Sequence, residues 1–342
     1  MKSLIAPFVV AFIISLVLTP IAIKLAPKLG FMDIPKDKRR VHKKAMPLAG
    51  GVAMYLATII SILYFLEVDR KIVGLLLGAT IIVISGLIDD RKGLSPKMKI
   101  VFQLLAGISL IAGGVRISFF TNPFSFGNTI IYLAFLSIPV TLFWIVGITN
   151  TVNLIDGLDG LAAGVSMICA ISLMTIAYKF GYGDIAVIAA ILAGACFGFL
   201  PFNFNPAKIF MGDTGALFLG FVLSYISVEG VMKSAAALTI FVPVLILGVP
   251  VFDTAFAMVR RKLSGKSMVQ ADKGHLHHRL LDLGLSQRQT VLVLYIISII
   301  FGILANLVSD FNSKVGLVIS ILIVAAILLI GVMTGMFRSK EE

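Results

Sequence analysis

Uninterrupted apolar runs of about 20 residues recur along the whole chain, and each can cross roughly 30 Å of hydrocarbon as a helix. We place eleven, at 4–26, 48–66, 72–88, 98–114, 130–149, 161–180, 184–201, 214–229, 235–256, 289–308 and 314–336. A soluble domain of 342 residues does not combine 59% hydrophobic with 13% charged residues, so the bilayer is the expected solvent. The expected fold is an all-α integral membrane protein, a polytopic bundle of about eleven transmembrane helices forming one domain over 1–342. No internal repeat, low-complexity segment or linker divides it. Only Lys2 precedes the first run and no small-residue cleavage pattern follows it, which favours a retained helix over a cleaved signal peptide. Cys169 and Cys196 fall inside apolar runs and are expected to be packing residues.

With an odd number of crossings, loops alternate between two sides, and basic residues mark the cytoplasmic one. The loops at 27–47, 89–97, 150–160, 202–213 and 257–288, the C-terminal tail, and the adjoining Lys24 and Lys99 hold 22 of the 29 Lys and Arg residues. The N-terminus is therefore expected outside and the C-terminus in the cytoplasm. The net charge of +12 then belongs to the cytoplasmic face, suited to lipid headgroups and phosphates. On the outer side, 115–129 alternates before Asn122-Pro123 and Gly127-Asn128, the pattern of a small β-hairpin.

Asp89, Asp90, Asp156, Asp159, Asp213 and Asp253 all sit at or just inside the cytoplasmic ends of spans. One such aspartate could simply be solvated or cap a helix, but carboxylates at membrane depth are costly, and six on one face point to function. Adjacent carboxylates in Asp89-Asp90-Arg91-Lys92 invite a hard cation such as Mg²⁺. If 150–160 turns helically, Asn153, Asp156 and Asp159 share a face. Gly160 and Gly164 have the spacing of close helix packing. Asp213 is flanked by glycines just before a helix, where backbone N–H groups can face phosphate and the carboxylate a metal.

The largest cytoplasmic loop contains Gly274-His275-Leu276-His277-His278-Arg279 and reaches Gly284. As a short helix it would set Leu276, Leu280 and Leu283 on one side and His275, His278 and Arg279 on the other, an amphipathic lid with a cationic edge. Ser286 and Gln289 form a capping box for the next span. Three histidines without cysteines or further nearby histidines favour phosphate contact or acid-base assistance over zinc. The basic run 36–44 and Arg260-Arg261-Lys262 are consistent with positive-inside anchoring.

Together, Asp89-Asp90-Arg91-Lys92, Asn153-Leu154-Ile155-Asp156-Gly157-Leu158-Asp159-Gly160, Asn205-Pro206-Ala207 leading to Phe210-Met211-Gly212-Asp213, and His275-Leu276-His277-His278 resemble the polyprenyl-phosphate N-acetylhexosamine-1-phosphate transferases, glycosyl transferase family 4. The resemblance spans about 5–335 with the motifs in order. It implies Mg²⁺-dependent transfer of a sugar 1-phosphate from a UDP-sugar to undecaprenyl phosphate at the inner face of the cell membrane, with release of UMP. The spaced His-Leu-His-His looks like the branch that uses UDP-N-acetylglucosamine for teichoic acid or surface polysaccharide, whereas the phospho-MurNAc-pentapeptide branch carries three consecutive histidines. Carried over residue by residue, the resemblance implies Mg²⁺ on Asp90 and Asp213, and Asp89 as base or, in a two-step scheme, nucleophile. It assigns catalytic parts also to Asp156, Asp159, His275 and His278, and substrate contacts to Lys44, Lys99, Asn153, Asp159, Asn203, His277 and Arg279. Implied partners are the UDP-sugar, the polyprenyl phosphate, the bilayer and a second copy in a homodimer, with no nucleic acid. A CDP-alcohol phosphotransferase fails because the arginine and the paired downstream aspartates of its motif are missing. A cation-coupled transporter would need polar residues near mid-membrane, whereas these gather at one face.

Overall fold

The computed structural model describes residues 3–33, 45–121, 130–232, 240–265, 274–311 and 313–333. The helices are α1 (Ile5–Leu29), α2 (Gly50–Phe65), α3 (Arg70–Lys92), α4 (Pro96–Ala112), α5 (Ser137–Leu154), α6 (Leu161–Lys179) and α7 (Gly183–Asn203). They continue with α8 (Gly212–Gly230), α9 (Phe241–Ile246), α10 (Gly248–Leu263), α11 (Leu276–Asp282), α12 (Gln287–Val308) and α13 (Ser313–Met333). Two short antiparallel ribbons accompany them among the described residues, β1 (Met32–Asp33) with β2 (Met46–Pro47) and β3 (Phe119–Thr121) with β4 (Ile130–Tyr132). The second pairs the flanks of the expected hairpin; its connection, 122–129, lies outside the described residues.

Each expected run contains helix, and six helical stretches among the described residues are long and apolar enough to cross a membrane: Ile5–Leu29, Arg70–Lys92, Ala134–Leu154, Leu161–Lys179, Gly183–Asn203 and Gln287–Val308. Along α1, Ile5, Val9, Ile13, Val17, Ile21 and Leu25 are exposed, while Ala11, Ser15, Thr19 and Ala26 are buried. An apolar stripe at four-residue spacing, left uncovered by protein, is the surface a lipid-facing helix presents. The chain is an all-α, multi-pass membrane protein.

The expected helix across 235–256 is corrected. It breaks at Leu247 into α9 and α10. Pro250 has no N–H for the carbonyl of Ile246, four residues earlier, so the regular ladder stops there. The Cys169 thiol donates to that carbonyl at 3.2 Å, giving this buried cysteine a bonding role beyond packing.

Helix α8 is the axis of the bundle, with every residue from Thr214 to Gly230 buried. It runs antiparallel to α3: Asp90 meets Thr214 at one end, and Lys71 pairs with buried Glu229 at 2.8 Å at the other. Glycines let the first turn of α8 come this close. A Cβ on Gly86 would lie 2.3 Å from Thr214 Cα, and one on Gly51 would lie 2.2 Å from Gly215 N. The strand and helix start around Gly50 also run along the approach to α8. Phe210 N donates to Pro47 O (2.9 Å), Gly50 N to Phe210 O (3.1 Å) and Gly51 N to Met211 O (3.0 Å). Thus α2, α3 and the strap before α2 fix where Asp213 stands.

Candidate active site

Three carboxylates converge where α3 ends and α8 begins. Asp89, Asp90 and Asp213 each bring one oxygen within 4.8 Å of the others, the one such group of potential metal ligands found among the described residues. The turn from Gly93 to Ser95 reverses the chain. Ser95 caps α4 by accepting from Met98 N, and Pro96 opens the helix, where its missing N–H costs nothing. One turn later the Lys99 ammonium pairs with Asp89 at 2.7 Å and with Asp213.

The three carboxylates differ in their partners. Asp90 accepts from Asp213 N at 2.8 Å on one oxygen, and from Thr214 N at 3.2 Å and Thr214 Oγ1 at 2.6 Å on the other. It therefore caps α8 from a neighbouring helix, satisfying backbone donors that a helix start leaves without intrahelical partners. Asp89 accepts from Leu94 N at 2.6 Å on one oxygen and faces Lys99 with the other. A carboxylate has about four acceptor positions, so Asp90 has one left while Asp89 has about two. An all-oxygen, anionic donor set fits a hard cation such as Mg²⁺. Of the three, Asp90, an expected Mg²⁺ ligand, has the least acceptor capacity to spare and also holds Asp213.

The segment 150–160 is not one helix. Helix α5 stops at Leu154 and a tight turn follows, because the buried Ile155 and Leu158 take the inward positions. Asn153 sits half-buried in the last turn of α5. Asp156 lies within electrostatic reach of the carboxylate cluster: burial, then the charges of Asp213, Asp90 and Asp159, push its carboxyl up to about 8. Asp159 turns elsewhere, accepting from Asn205 Nδ2 and Ala207 N, both at 3.0 Å. Asn203 is buried with both ends of its amide used, its oxygen accepting from Gly160 N (3.1 Å) and its nitrogen donating to Ile209 O (2.9 Å). In this way the Asn203 amide pins the turn before α6 to the loop before α8. Gly164 packs on Tyr295 of α12, the helix contact its spacing suggested.

The histidine helix also differs from expectation. It forms as α11, and the Ser286–Gln289 capping box opens α12. Yet His275 and His277 are buried and Leu283 is exposed, so the amphipathic faces are not those expected. Two contacts turn the helix. Asp253 of α10 accepts from His275 Nδ1 at 2.9 Å and from Leu276 N at 2.6 Å. His277 lies over Gly157, where a Cβ would come within 2.5 Å of its Nε2. Burial, and after it His278, hold the His277 imidazole down to about 4. His278 is half-buried beside it, ring centroids 4.3 Å apart, and Arg279 Nε donates to Gly274 O at 3.1 Å. Arg260, read as a surface anchor, is buried against Gly274. Lys44 lies outside the described residues.

Two contributors escaped the sequence reading. Thr214 supplies two of the donors on Asp90. Gln103, one turn beyond Lys99 and fully buried, exchanges amide hydrogen bonds with Asn150 at 2.6 and 3.3 Å, tying α4 to α5 beneath the cluster. A glutamine inside an apolar run was the available signal.

Residues 72–231 match the sequence model of glycosyl transferase family 4. Across 341 residues the chain is 39% identical to a probable undecaprenyl-phosphate N-acetylglucosaminyl 1-phosphate transferase of Bacillus subtilis, covering 99% of this chain and 94% of that protein. It is 36% identical over 335 residues to a decaprenyl-phosphate N-acetylglucosaminephosphotransferase of Mycolicibacterium smegmatis, covering 89% and 82%. A phospho-N-acetylmuramoyl-pentapeptide-transferase of Staphylococcus aureus is 31% identical over 314 residues, covering 86% and 95%.

Proposed function

Because the chain belongs to glycosyl transferase family 4, we propose that it transfers N-acetylglucosamine 1-phosphate from UDP-N-acetylglucosamine to undecaprenyl phosphate, releasing UMP. The observation that carries this reading is the convergence of Asp89, Asp90 and Asp213 beside Lys99, in a chain similar over nearly its whole length to an N-acetylglucosaminyl 1-phosphate transferase. The N-acetylglucosamine branch is favoured over the MurNAc-pentapeptide branch by the spaced His275-Leu276-His277-His278 and by the higher identity to the first relative. The product would be the first lipid-linked intermediate of a teichoic acid or surface polysaccharide.

In this reaction an oxygen of the lipid phosphate bonds to the sugar-bearing phosphorus, and the bond from that phosphorus to the bridging oxygen breaks as UMP leaves. Asp213 and Asp89, with Asp90 behind them, would hold Mg²⁺, which would supply positive charge to offset the charge of the phosphates during transfer. Leu94 N–H and Lys99 hold Asp89 at both oxygens, a fixed orientation for taking a proton from the lipid phosphate or for attacking phosphorus in a two-step scheme. Lys99 adds a cation between Asp89 and Asp213, where the substrate phosphates must approach. Asp156, raised by burial and its acidic neighbours, can hold a proton at neutral pH beside the same cluster. The positive-inside count supports an active site on the cytoplasmic face of an eleven-span bundle, where UDP-sugars are made.

Purified protein incubated with undecaprenyl phosphate, Mg²⁺ and a panel of UDP-sugars tests the proposal. UMP release and lipid-linked sugar should appear with UDP-N-acetylglucosamine and stop on chelation. Product only from UDP-MurNAc-pentapeptide would move the protein to the other branch, and no product from any UDP-sugar would reject the reaction.

A further inference from the structure

Asp253 is one of the six aspartates gathered at one end of the bundle, and nothing above gives it a part in transfer. It lies on α10, buried at 4% exposure, below the start of α11. Both its oxygens are spent on the histidine helix: one accepts from Leu276 N at 2.6 Å, the other from His275 Nδ1 at 2.9 Å. Arg260 stands seven residues further along, on the same face of α10, and packs on the backbone just before His275; a Cβ on Gly274 would lie 2.3 Å from its Nη2. Arg279 reaches back to Gly274 O at 3.1 Å. The first residues of the histidine helix are therefore gripped from α10 at Gly274, His275 and Leu276.

The other side of the same helix meets the acidic turn. The rings of His275 and His277 are nearly parallel, 7° apart with centroids at 5.8 Å, and His277 covers Gly157 between Asp156 and Asp159. A seven-residue helix has too little internal hydrogen bonding to hold its own place, so its position is set by these outside contacts. We propose that Asp253 is a positioning residue, which seats the His275–His278 helix on the Asp156–Asp159 turn and fixes His275 with its proton on Nδ1. His275 Nε2 is then the nitrogen left to act towards the site, in the way a carboxylate behind an imidazole sets its tautomer. The effect should fall on UDP-sugar use, because the resemblance to family 4 puts Asp156 and Asp159, in the turn beside α11, in the nucleotide region. This rests on the function proposed above.

Asp253→Ala and Asp253→Asn separate the two contributions, since asparagine can still accept from Leu276 N but presents N–H to His275. Hydrogen exchange needs no substrate and so reads the seating even if the reaction assignment is wrong. Amides of 276–283 should exchange faster in Asp253→Ala and near the wild-type rate in Asp253→Asn. In the transfer assay both variants should raise KM for UDP-N-acetylglucosamine roughly 10-fold or lower kcat by a similar factor, with KM for undecaprenyl phosphate changed less than about twofold. Unchanged exchange in Asp253→Ala would overturn the seating. Faster exchange with kinetics equal to wild type, or an equal loss for both substrates, would overturn its link to the nucleotide end. Should Asp253→Ala fail to fold, Asp253→Asn carries the kinetic test alone, and wild-type kinetics in that variant would overturn the tautomer role. A wild-type protein inactive with UDP-N-acetylglucosamine would reject the proposed function and leave the exchange result standing.

Discussion

Asp90 accepts the backbone N–H of Asp213 at 2.8 Å, so the second carboxylate of the pair ending α3 holds in place the residue that brings the third. With Thr214 supplying two more donors, removal of Asp90 leaves the start of α8 uncapped in a buried setting. Asp90→Ala should lose about 1–3 kcal/mol of stability as well as activity. Asp213→Asn should keep its melting temperature in detergent and lose Mg²⁺-dependent turnover. Thermal melts alongside a Mg²⁺ titration check both; an Asp213→Asn protein near wild-type turnover at saturating Mg²⁺ would remove it from the metal site.

Asp89 makes no bond to α8 backbone; it bonds Leu94 N and Lys99 and faces the Asp213 carboxylate. Asp89→Asn should therefore fold, bind UDP-N-acetylglucosamine and fail to turn over, because an amide neither takes the acceptor's proton nor attacks phosphorus. Nucleotide binding by calorimetry, measured beside turnover, distinguishes this from a general loss of the site. Continued turnover would reduce Asp89 to a supporting role.

Gly86 sets the approach of α3 to α8, since its Cβ would fall 2.3 Å from backbone rather than from a side chain able to move aside. Gly86→Ala should cost about 1–3 kcal/mol and displace Asp213 from Asp89 and Asp90. A disproportionate loss of Mg²⁺ affinity, compared with an equally destabilised variant remote from the cluster, is the expected reading. Equal losses in the two would mean that the close approach serves stability alone.

The carboxylate cluster was legible because acidic residues at the ends of apolar runs have few bland explanations, and their order along the chain adds specificity. What each carboxylate does was not. Nothing in Asp89-Asp90 distinguishes the residue that faces Lys99 from the one that caps α8; that follows from the register of α3 against α8, where Gly86 allows the close approach. The internal bonds of Asp159 to Asn205 and Ala207, and of Asn203 to Gly160, were not legible because their partners are more than 40 residues away in sequence. Hydropathy ran through Leu247, since an apolar window does not register that Pro250 deprives the Ile246 carbonyl of its donor. Leucine spacing oriented α11 incorrectly because one buried aspartate and one glycine outweigh amphipathicity in a helix of two turns.

His277 links this docking to pH. Its imidazole is held down to about 4, against an ordinary value near 6.5, by burial and by its neighbours His278 and His275, with Asp253 acting in the opposite sense. A depressed histidine contributes stability above its unfolded value and loses it as pH falls towards the folded one, so the seated α11 should weaken from pH 6.5 down to 4 by about 3 kcal/mol. Exchange of the amides of 276–283 should accelerate over that window in the wild type. The trend should flatten in His277→Asn, which has no proton to take up. The same acceleration in both proteins would assign the effect to other groups.

The reaction proposed here consumes one pyrophosphate linkage in the UDP-sugar and creates another in the lipid product, so its driving force should be small and its reversal measurable. Labelled UMP supplied with lipid-pyrophosphoryl-N-acetylglucosamine should enter UDP-N-acetylglucosamine when Mg²⁺ is present. Forward and reverse transfer pass through the same transition states, so the groups that stabilise them must serve both directions. Loss of Asp89 or Asp213 should abolish exchange together with forward turnover, while loss of Asp90 should reduce both in proportion to the damage at the start of α8. A hydrolase would instead release N-acetylglucosamine 1-phosphate, and a transporter would give no exchange. An enzyme demonstrably active forward that never returns label to UDP-N-acetylglucosamine would be incompatible with sugar-1-phosphate transfer at this cluster.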